Sequence, residues 1–370
     1  MKRHPFHAIC PYFAMFPEAF VERQVRAYTA YGEATFDPFC GRGTTVFQSL
    51  LMGRPSAGTD VNPVAACIAG AKSDPPSLEQ LLVRIDELEV AYDSAPFANP
   101  EEVSEFFQYC FAPRTLPQVL FLREILNWRT DRTDRFLAAV SLGALHGESH
   151  RSKLYFSNRM PRTISTKPEY SVRWWKERAS NAPERNVFSI LRQLARFRFQ
   201  LQPAELIGTV AQMDARRAAE AVPEFRGRVK LVVTSPPYLD TTDYSEDQWL
   251  RLWFLGGADK PIRNQGADDR LVDPVRYWTF LQEAWGGVRE LLAPDAIMVV
   301  RIGGKGLSRE DLLLGLERTL QAALSGHNVR ALDEGVTTAI KPRETTVFRP
   351  NRTSNSRVEH DFTFSLQHAA

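Results

Sequence analysis

Thr234-Ser235-Pro236-Pro237-Tyr238 closes the apolar run Val229-Lys-Leu-Val-Val233, which reads as a buried parallel strand. Neither proline carries an N–H, and the first holds Ser235 in extended geometry. The result is a stiff elbow at the carboxyl end of a strand, where open α/β sheets bind their ligands. It offers the Ser235 hydroxyl, free backbone carbonyls and the Tyr238 ring, groups that suit a flat heterocycle bearing an amino group. A Pro-Pro pair alone most often just ends a strand; a ligand site needs partners elsewhere in the chain.

One partner stands far upstream, at Phe36-Asp37-Pro38-Phe39-Cys40-Gly41-Arg42-Gly43-Thr44-Thr45. Ala34 to Phe36 reads as a short strand and Thr44 to Met52 as a helix. Glycines between them allow the backbone close to a ligand, and the helix N-terminus presents N–H groups. The spacing is not G-x-G-x-x-G, and no phosphate-loop lysine follows. Ser56-Ala-Gly-Thr-Asp60-Val-Asn62-Pro63 reads as a second strand ending in an acid, 23 positions after Asp37, where such folds keep a carboxylate for ribose hydroxyls. A third strand, Ile207 to Met213, ends at Asp214-Ala215.

Taken in this order, Asp-Pro-Phe-x-Gly-x-Gly-Thr-Thr, Asp-x-Asn-Pro, Asp-Ala and Thr-Ser-Pro-Pro-Tyr resemble the amino-group DNA methyltransferases, which make N4-methylcytosine or N6-methyladenine. Pro11-Tyr12-Phe13-Ala14-Met15-Phe16-Pro17 is similar to the family segment that packs beside the methionine part of the cofactor. The resemblance covers roughly residues 4–74 and 206–304, and implies a Rossmann-like α/β sheet that binds S-adenosylmethionine. It also implies the roles that follow. Phe13, Phe39, Gly41 and Gly43 line the methionine end, with Pro38 and Thr44 in the same loop. Asp60, followed by Asn62, holds the ribose, while Asp214-Ala215 meets the adenine. Asp37 contacts the cofactor amino group or orders the loop. Ser235, Pro236, Pro237 and Tyr238 form the catalytic elbow.

The implied chemistry needs neither metal nor covalent intermediate, because the donor methyl is already activated by a sulfonium. The task is to make an amine nucleophilic although its lone pair is delocalised into the ring. Acceptors on both amino hydrogens, the Ser235 hydroxyl and the Pro236 carbonyl, favour the pyramidal form and the charge that develops on nitrogen. Tyr238 stacks on a base turned out of the duplex. Ser-Pro-Pro-Tyr favours cytosine N4, whereas Asp or Asn in first place favours adenine N6. Two alternatives stay open. An RNA or tRNA guanine methyltransferase carries Asp-Pro-Pro-Tyr, against which the serine argues. A catalytically silent DNA-binding subunit would tend to lose the glycines, Asp60 and Ser235.

Bulk properties agree with an enzyme of the cytoplasm. The chain has 370 residues, 44% hydrophobic and 24% charged, as in globular proteins, and exceeds the usual single-core size. No stretch has the apolar length of a membrane span, and Met-Lys-Arg-His-Pro-Phe-His lacks a signal core. Cys10, Cys40, Cys67 and Cys110 have neither metal-ligand nor disulfide spacing and are expected as reduced thiols. A catalytic role for Cys40 is not expected. The expected partner is double-stranded DNA, with a cognate restriction endonuclease as the further partner the family implies; no membrane and no metal are expected.

Net charge is only +2, but its distribution is uneven. Residues 151–205 hold twelve Lys/Arg against four Glu, interleaved with eight aromatics. That mixture suits phosphate contact and base stacking. Ser157–Arg173 reads as a polar, proline-marked loop whose Arg159, Arg162, Lys167 and Arg173 are expected to contact DNA, with Trp174 and Phe188 in the core. The organisation is therefore residues 1–74 as the first part of the catalytic domain, including a helix from about Pro17 to Tyr31. Residues 75–205 follow as a helical insertion for target recognition, and 206–370 as the rest of the catalytic domain. Helices are expected over Leu78–Ala95, Glu101–Phe111, Leu116–Trp128, Asp134–Leu145 and Asn186–Leu201. Further strands are expected over Ala296–Gly303, Thr345–Phe348 and Asp361–Leu366.

Overall fold

The computed structural model describes residues 3–12, 16–94, 103–147, 153–160, 167–239, 248–261, 271, 273–304, 306–339 and 358–368. The chain divides into two compact units. One, made of Phe13–Ala69, Ala204–Asp243 and Gly266–Ala370, carries the sheet. The other, made of Met1–Tyr12, Gly70–Pro203 and Tyr244–Gln265, is helical.

In the sheet unit the strands are β1 (Ala34–Asp37), β2 (Ser56–Asp60), β3 (Thr209–Gln212), β4 (Val229–Thr234), β5 (Leu292–Ile302), β6 (His327–Ala331), β7 (Val336–Ala339) and β8 (Val358–His368). Their spatial order is β3-β2-β1-β4-β5-β8-β6, with β7 also paired to β8. The pairs from β3 through β5 are parallel; β8 is antiparallel to both β5 and β6. This is the mixed α/β, Rossmann-like arrangement expected from sequence, with the antiparallel strand inserted next to the last parallel one.

Why these segments form a doubly covered sheet is visible along β5. Ala296, Met298, Val300 and Ile302 enter one core, whereas Val299 enters the other. Side chains alternate faces with period two, and both faces are dry, so the strand reads as an unbroken apolar run. The first core is closed by Tyr277, Leu281, Trp285 and Val288 of the helix Pro274–Val288 and by Leu312, Leu316 and Leu320 of the helix Arg309–Ala323. The second is closed by Phe20, Val21 and Val25 of the helix Glu18–Tyr28. In β8, Phe362 and Phe364 stand opposite Val300 and Met298 and are fully buried. The strand expected at Thr345–Phe348 lies outside the described residues.

The helical unit holds helices at Leu78–Ser94, Glu105–Cys110, Thr115–Ile125, Arg132–Ala144, Pro168–Glu177, Val187–Arg198 and Trp249–Phe254. Its N-terminal piece is anchored locally: Phe6 packs edge-on to Phe136 and Phe199, and His4 Nε2 lies 2.9 Å from the Gln202 carbonyl. Trp253 stacks on Phe107 at 4.2 Å, which binds the short helix Trp249–Phe254 into the same unit.

The helix Pro168–Glu177 corrects one expectation, since its first six residues fall in the segment expected to be loop. Pro168 is the first helical residue, where its missing N–H costs nothing and its fixed φ starts a helix. Beneath it, Ser171, Val172 and Trp175 form the buried stripe. Trp175 is the fully buried indole; Trp174 instead lies half-buried under the Arg178 guanidinium at 4.6 Å. Phe188 is in the core as expected.

Candidate active site

The sheet brings Asp37, Asp60, Asp214 and the Ser235 elbow to one edge, the carboxyl ends of β1, β2, β3 and β4. Strand order reverses between β1 and β4, and a crevice opens at such a switch point in an open α/β sheet.

The glycine turn leaves β1 and enters the helix Thr44–Leu51 through Gly43, whose φ of +71° belongs to the left-handed region that favours glycine. A Cβ there would stand 2.7 Å from the Ala69 Cβ, so any side chain would push the turn away from the helix Pro63–Ser73. The turn is tied to β2 by Cys40 N donating to the Thr59 carbonyl at 2.9 Å and by Thr59 Oγ1 donating to the Pro38 carbonyl at 3.0 Å. Thr45, beside Thr44 in the first turn of the helix, donates to the Val233 carbonyl at 3.0 Å. Glu18 holds the buried Arg42 at 3.4 Å.

Asp60 closes the other side of the turn. Its Oδ2 accepts from Gly41 N at 2.8 Å and its Oδ1 from Asn62 N at 2.9 Å. Burial pushes its pKa up to about 6, and the two N–H donors pull against that shift. Asn62 caps the helix Pro63–Ser73 by accepting from Val64 N at 2.9 Å, with Pro63 opening that helix.

Asp37 is fully enclosed. Its Oδ1 accepts from Thr234 Oγ1 at 2.7 Å and from Phe39 N at 3.1 Å. Burial raises its pKa to about 7, hydrogen bonds from Thr234, Thr45 and Phe39 oppose the rise, and the Asp60 charge adds to it. Among the described residues no basic side chain pairs with it. Phe39 turns its ring edge-on to Phe280 and Trp285, 5.8 and 6.3 Å away, and so anchors the loop on the core.

Asp214 caps the turn Ala215–Arg217 by accepting from Arg216 N, and both its oxygens are held by the Arg216 guanidinium at 3.0 and 2.9 Å. Ala215 is buried. Phe13 lies outside the described residues.

Beyond β4 the elbow folds so that Ser235 Oγ lies 3.4 Å from Tyr238 Oη, which donates to Glu359 Oε1 at 2.9 Å. Burial and the Glu359 charge push the Tyr238 hydroxyl pKa well above its ordinary value, so it stays protonated. The ring is pinned beside Gly303, where a Cβ would approach Tyr238 Cε2 to 3.2 Å. Leu239 bridges to Gly304, which holds the exit of the elbow against the end of β5. Glu359 and Gly303 were not legible as site residues: Glu359 is 121 positions from Tyr238 and carries no motif of its own. Only the insertion of β8 beside β5 brings it there.

In the helical unit, Arg159 is exposed and backbone-anchored, its carbonyl accepting from Trp175 Nε1 at 2.6 Å. Lys167 precedes the helix Pro168–Glu177, and Arg173 lies on it over the Tyr170 ring at 5.7 Å. Arg162 lies outside the described residues. Among those described, no group of His, Cys, Asp and Glu has the spacing of a metal site, and no helix is long and apolar enough to cross a membrane.

A family model described as DNA methylase, covering N6 and N4 enzymes, matches residues 2–69, the segment with the glycine turn and Asp60. Over 290 residues the chain is 24% identical to the Type II methyltransferase M.BsoBI of Geobacillus stearothermophilus, spanning 71% of this chain and 55% of that protein. These matches support a reading of the chain as similar to the amino-group DNA methyltransferases. A Type II methyltransferase of Methanocaldococcus jannaschii, M.MjaII, is 35% identical over 75 residues, 20% of this chain and 14% of that protein. The chain thus spans about half the length of the first relative and a smaller share of the second. Among solved structures, the rRNA methyltransferase aviRa of Streptomyces viridochromogenes superposes with a TM-score of 0.33 at 10% identity, covering 96% of this chain and 87% of that one. The strand order, rather than that superposition, establishes the fold.

Methyltransferases of the kind these matches name use S-adenosylmethionine as methyl donor. The residues present fit it. Asp60 keeps a lone pair on each oxygen for hydroxyl donors, and the enclosed Asp37 is a carboxyl group that a cationic ligand would ionise.

Proposed function

We propose that this chain methylates an exocyclic amine of a base in double-stranded DNA, cytosine N4 in the first place. When bound, S-adenosylmethionine supplies a sulfonium-activated methyl group. Asp60 receives the ribose hydroxyls, Asp37 and the turn Pro38–Thr44 meet the amino-acid end, and Asp214 with Ala215 borders the adenine. Ser235 Oγ and the Pro236 carbonyl accept the two amine hydrogens, which concentrates the lone pair on nitrogen. Pro237 keeps the elbow stiff, and Tyr238 stacks on a base turned out of the duplex. Holding nitrogen, methyl and sulfur in line supplies much of the rate.

The observation that carries this reading is the Ser-Pro-Pro-Tyr elbow at the carboxyl end of β4, hydrogen-bonded through Thr234 to Asp37 at the carboxyl end of β1. Serine at the elbow favours cytosine over adenine. Arg159, Arg162, Lys167 and Arg173 are the proposed phosphate and base contacts, and a cognate endonuclease is the proposed biological partner. Incubation of the chain with radiolabelled cofactor and plasmid DNA tests the activity: label fixed in DNA supports it, and label in RNA alone or nowhere contradicts it.

A further inference from the structure

Three acceptor-rich groups follow one another behind the elbow, and their directions are not free. Tyr238 Oη has a single proton, and the Glu359 carboxylate takes it at 2.9 Å. An ionised carboxylate can only accept. Ser235 Oγ, 3.4 Å from Tyr238 Oη, must then be the donor in that pair. Its lone pairs are left for a third partner, and among the described residues none donates to them. The 3.4 Å separation is longer than an ordinary O–H···O bond, as is common before a substrate arrives.

Glu359 is in turn held. Arg301 Nη1 lies 3.7 Å from Glu359 Oε2, while Arg301 itself is fixed by Asp361 through Nε at 2.6 Å and Nη2 at 2.8 Å. The Phe20 ring covers the guanidinium at 4.0 Å. A buried, doubly hydrogen-bonded guanidinium is a stiff support, and it places a positive charge beside the Glu359 carboxylate.

We infer that Glu359 is the positioning residue that sets the direction of the chain Ser235 Oγ–H to Tyr238 Oη–H to Glu359, so that Ser235 meets the target amine only as an acceptor. With a neutral acceptor-donor in place of Glu359, the Tyr238 hydroxyl could turn round, donate to Ser235 and occupy the lone pair the amine needs. The inference rests on the reading of Ser235 as the amine acceptor.

Two measurements on the full chain test it. Tyrosine labelled with carbon-13 at Cζ, with Tyr238 assigned by loss of its signal in Tyr238→Phe, reports the hydroxyl environment without any need for turnover. Glu359→Gln is expected to move that resonance. In a kinetic cycle, Tyr238→Phe keeps the ring and Glu359→Gln keeps the size. Each is expected to lower kcat about ten- to a hundredfold with KM for the cofactor unchanged, and the double variant to lose no more than the worse single. A residue that merely stabilises the strand would give additive losses. An unmoved Tyr238 resonance, or additive losses, overturns the inference. A wild-type chain that methylates no DNA would instead overturn the function proposed above, and the resonance would still decide whether Glu359 orients Tyr238.

Discussion

The Asp37 carboxylate accepts a 2.7 Å hydrogen bond from the Thr234 hydroxyl, 197 positions away in sequence. One bond thereby ties the glycine turn after β1 to the strand that leads to Ser235. The same bond is one of three that oppose the effect of burial on Asp37, whose pKa still rises to about 7.

A pH dependence follows. If Asp37 meets the cofactor ammonium, it must be ionised in the complex, so below its pKa of about 7 binding releases a proton. Affinity should rise with pH, by about tenfold per unit below neutrality, and level off above it. Calorimetry in buffers of different ionisation heat reads that proton directly, and Asp37→Asn should flatten the profile. Without ligand the sign is opposite. Asp37 and Asp60 both lie above the ordinary carboxyl range, at about 7 and about 6, so the stability they contribute is present at acid pH and lost as pH rises through those values. A cofactor affinity that is flat from about pH 5.5 to 8 would remove Asp37 from the site.

Asp60→Ala tests the ribose site. The variant loses the two N–H bonds that close the glycine turn as well as the proposed acceptors for the sugar. Cofactor affinity should fall at least about ten- to a hundredfold, the loss expected for a single hydrogen bond to a charged group. EDTA should leave the wild-type affinity alone. Wild-type affinity retained in the variant would place the ribose elsewhere.

Ser235→Ala separates binding from chemistry. In the proposed reaction the hydroxyl acts on an amine that becomes acidic only as the methyl arrives, so kcat should fall about a hundredfold while cofactor affinity stays within about twofold. Full turnover in the variant would mean that the amine is held by other groups.

Much of this site was legible because each of its parts is a local device. Pro-Pro stiffens an elbow, glycines form a turn, and Asn-Pro caps and opens a helix; each leaves its mark within about ten residues. The apolar run of β5 announced a doubly covered strand. What could not be read is what the sheet alone assembles. Glu359 reaches Tyr238 only because β8 inserts between β5 and β6, and nothing near residue 359 signals that pairing. The Arg216 guanidinium holds both oxygens of Asp214, a pairing that two positions of sequence make available but do not announce. The helix Pro168–Glu177 was hidden by its own first residue, since proline marks helix starts as well as loops.

The basic surface is separable from the chemistry. Neutralising Arg159, Lys167 and Arg173 together should weaken binding to all duplexes and flatten its salt dependence by roughly one unit of slope per lost phosphate contact. If one of them reads a guanine edge, restoring it alone should sharpen the preference at one base pair. Binding and specificity unchanged across salt, with cofactor affinity intact, would make this a structural surface.

Nucleoside mass spectrometry of plasmid DNA treated with the chain and S-adenosylmethionine tests the central claim most directly. The expected product is N4-methylcytosine, formed by the wild type and lost with Ser235→Ala. N6-methyladenine in its place would keep the elbow chemistry and overturn the choice of base. Unmodified DNA, from a folded chain that binds the cofactor, would contradict the claim outright.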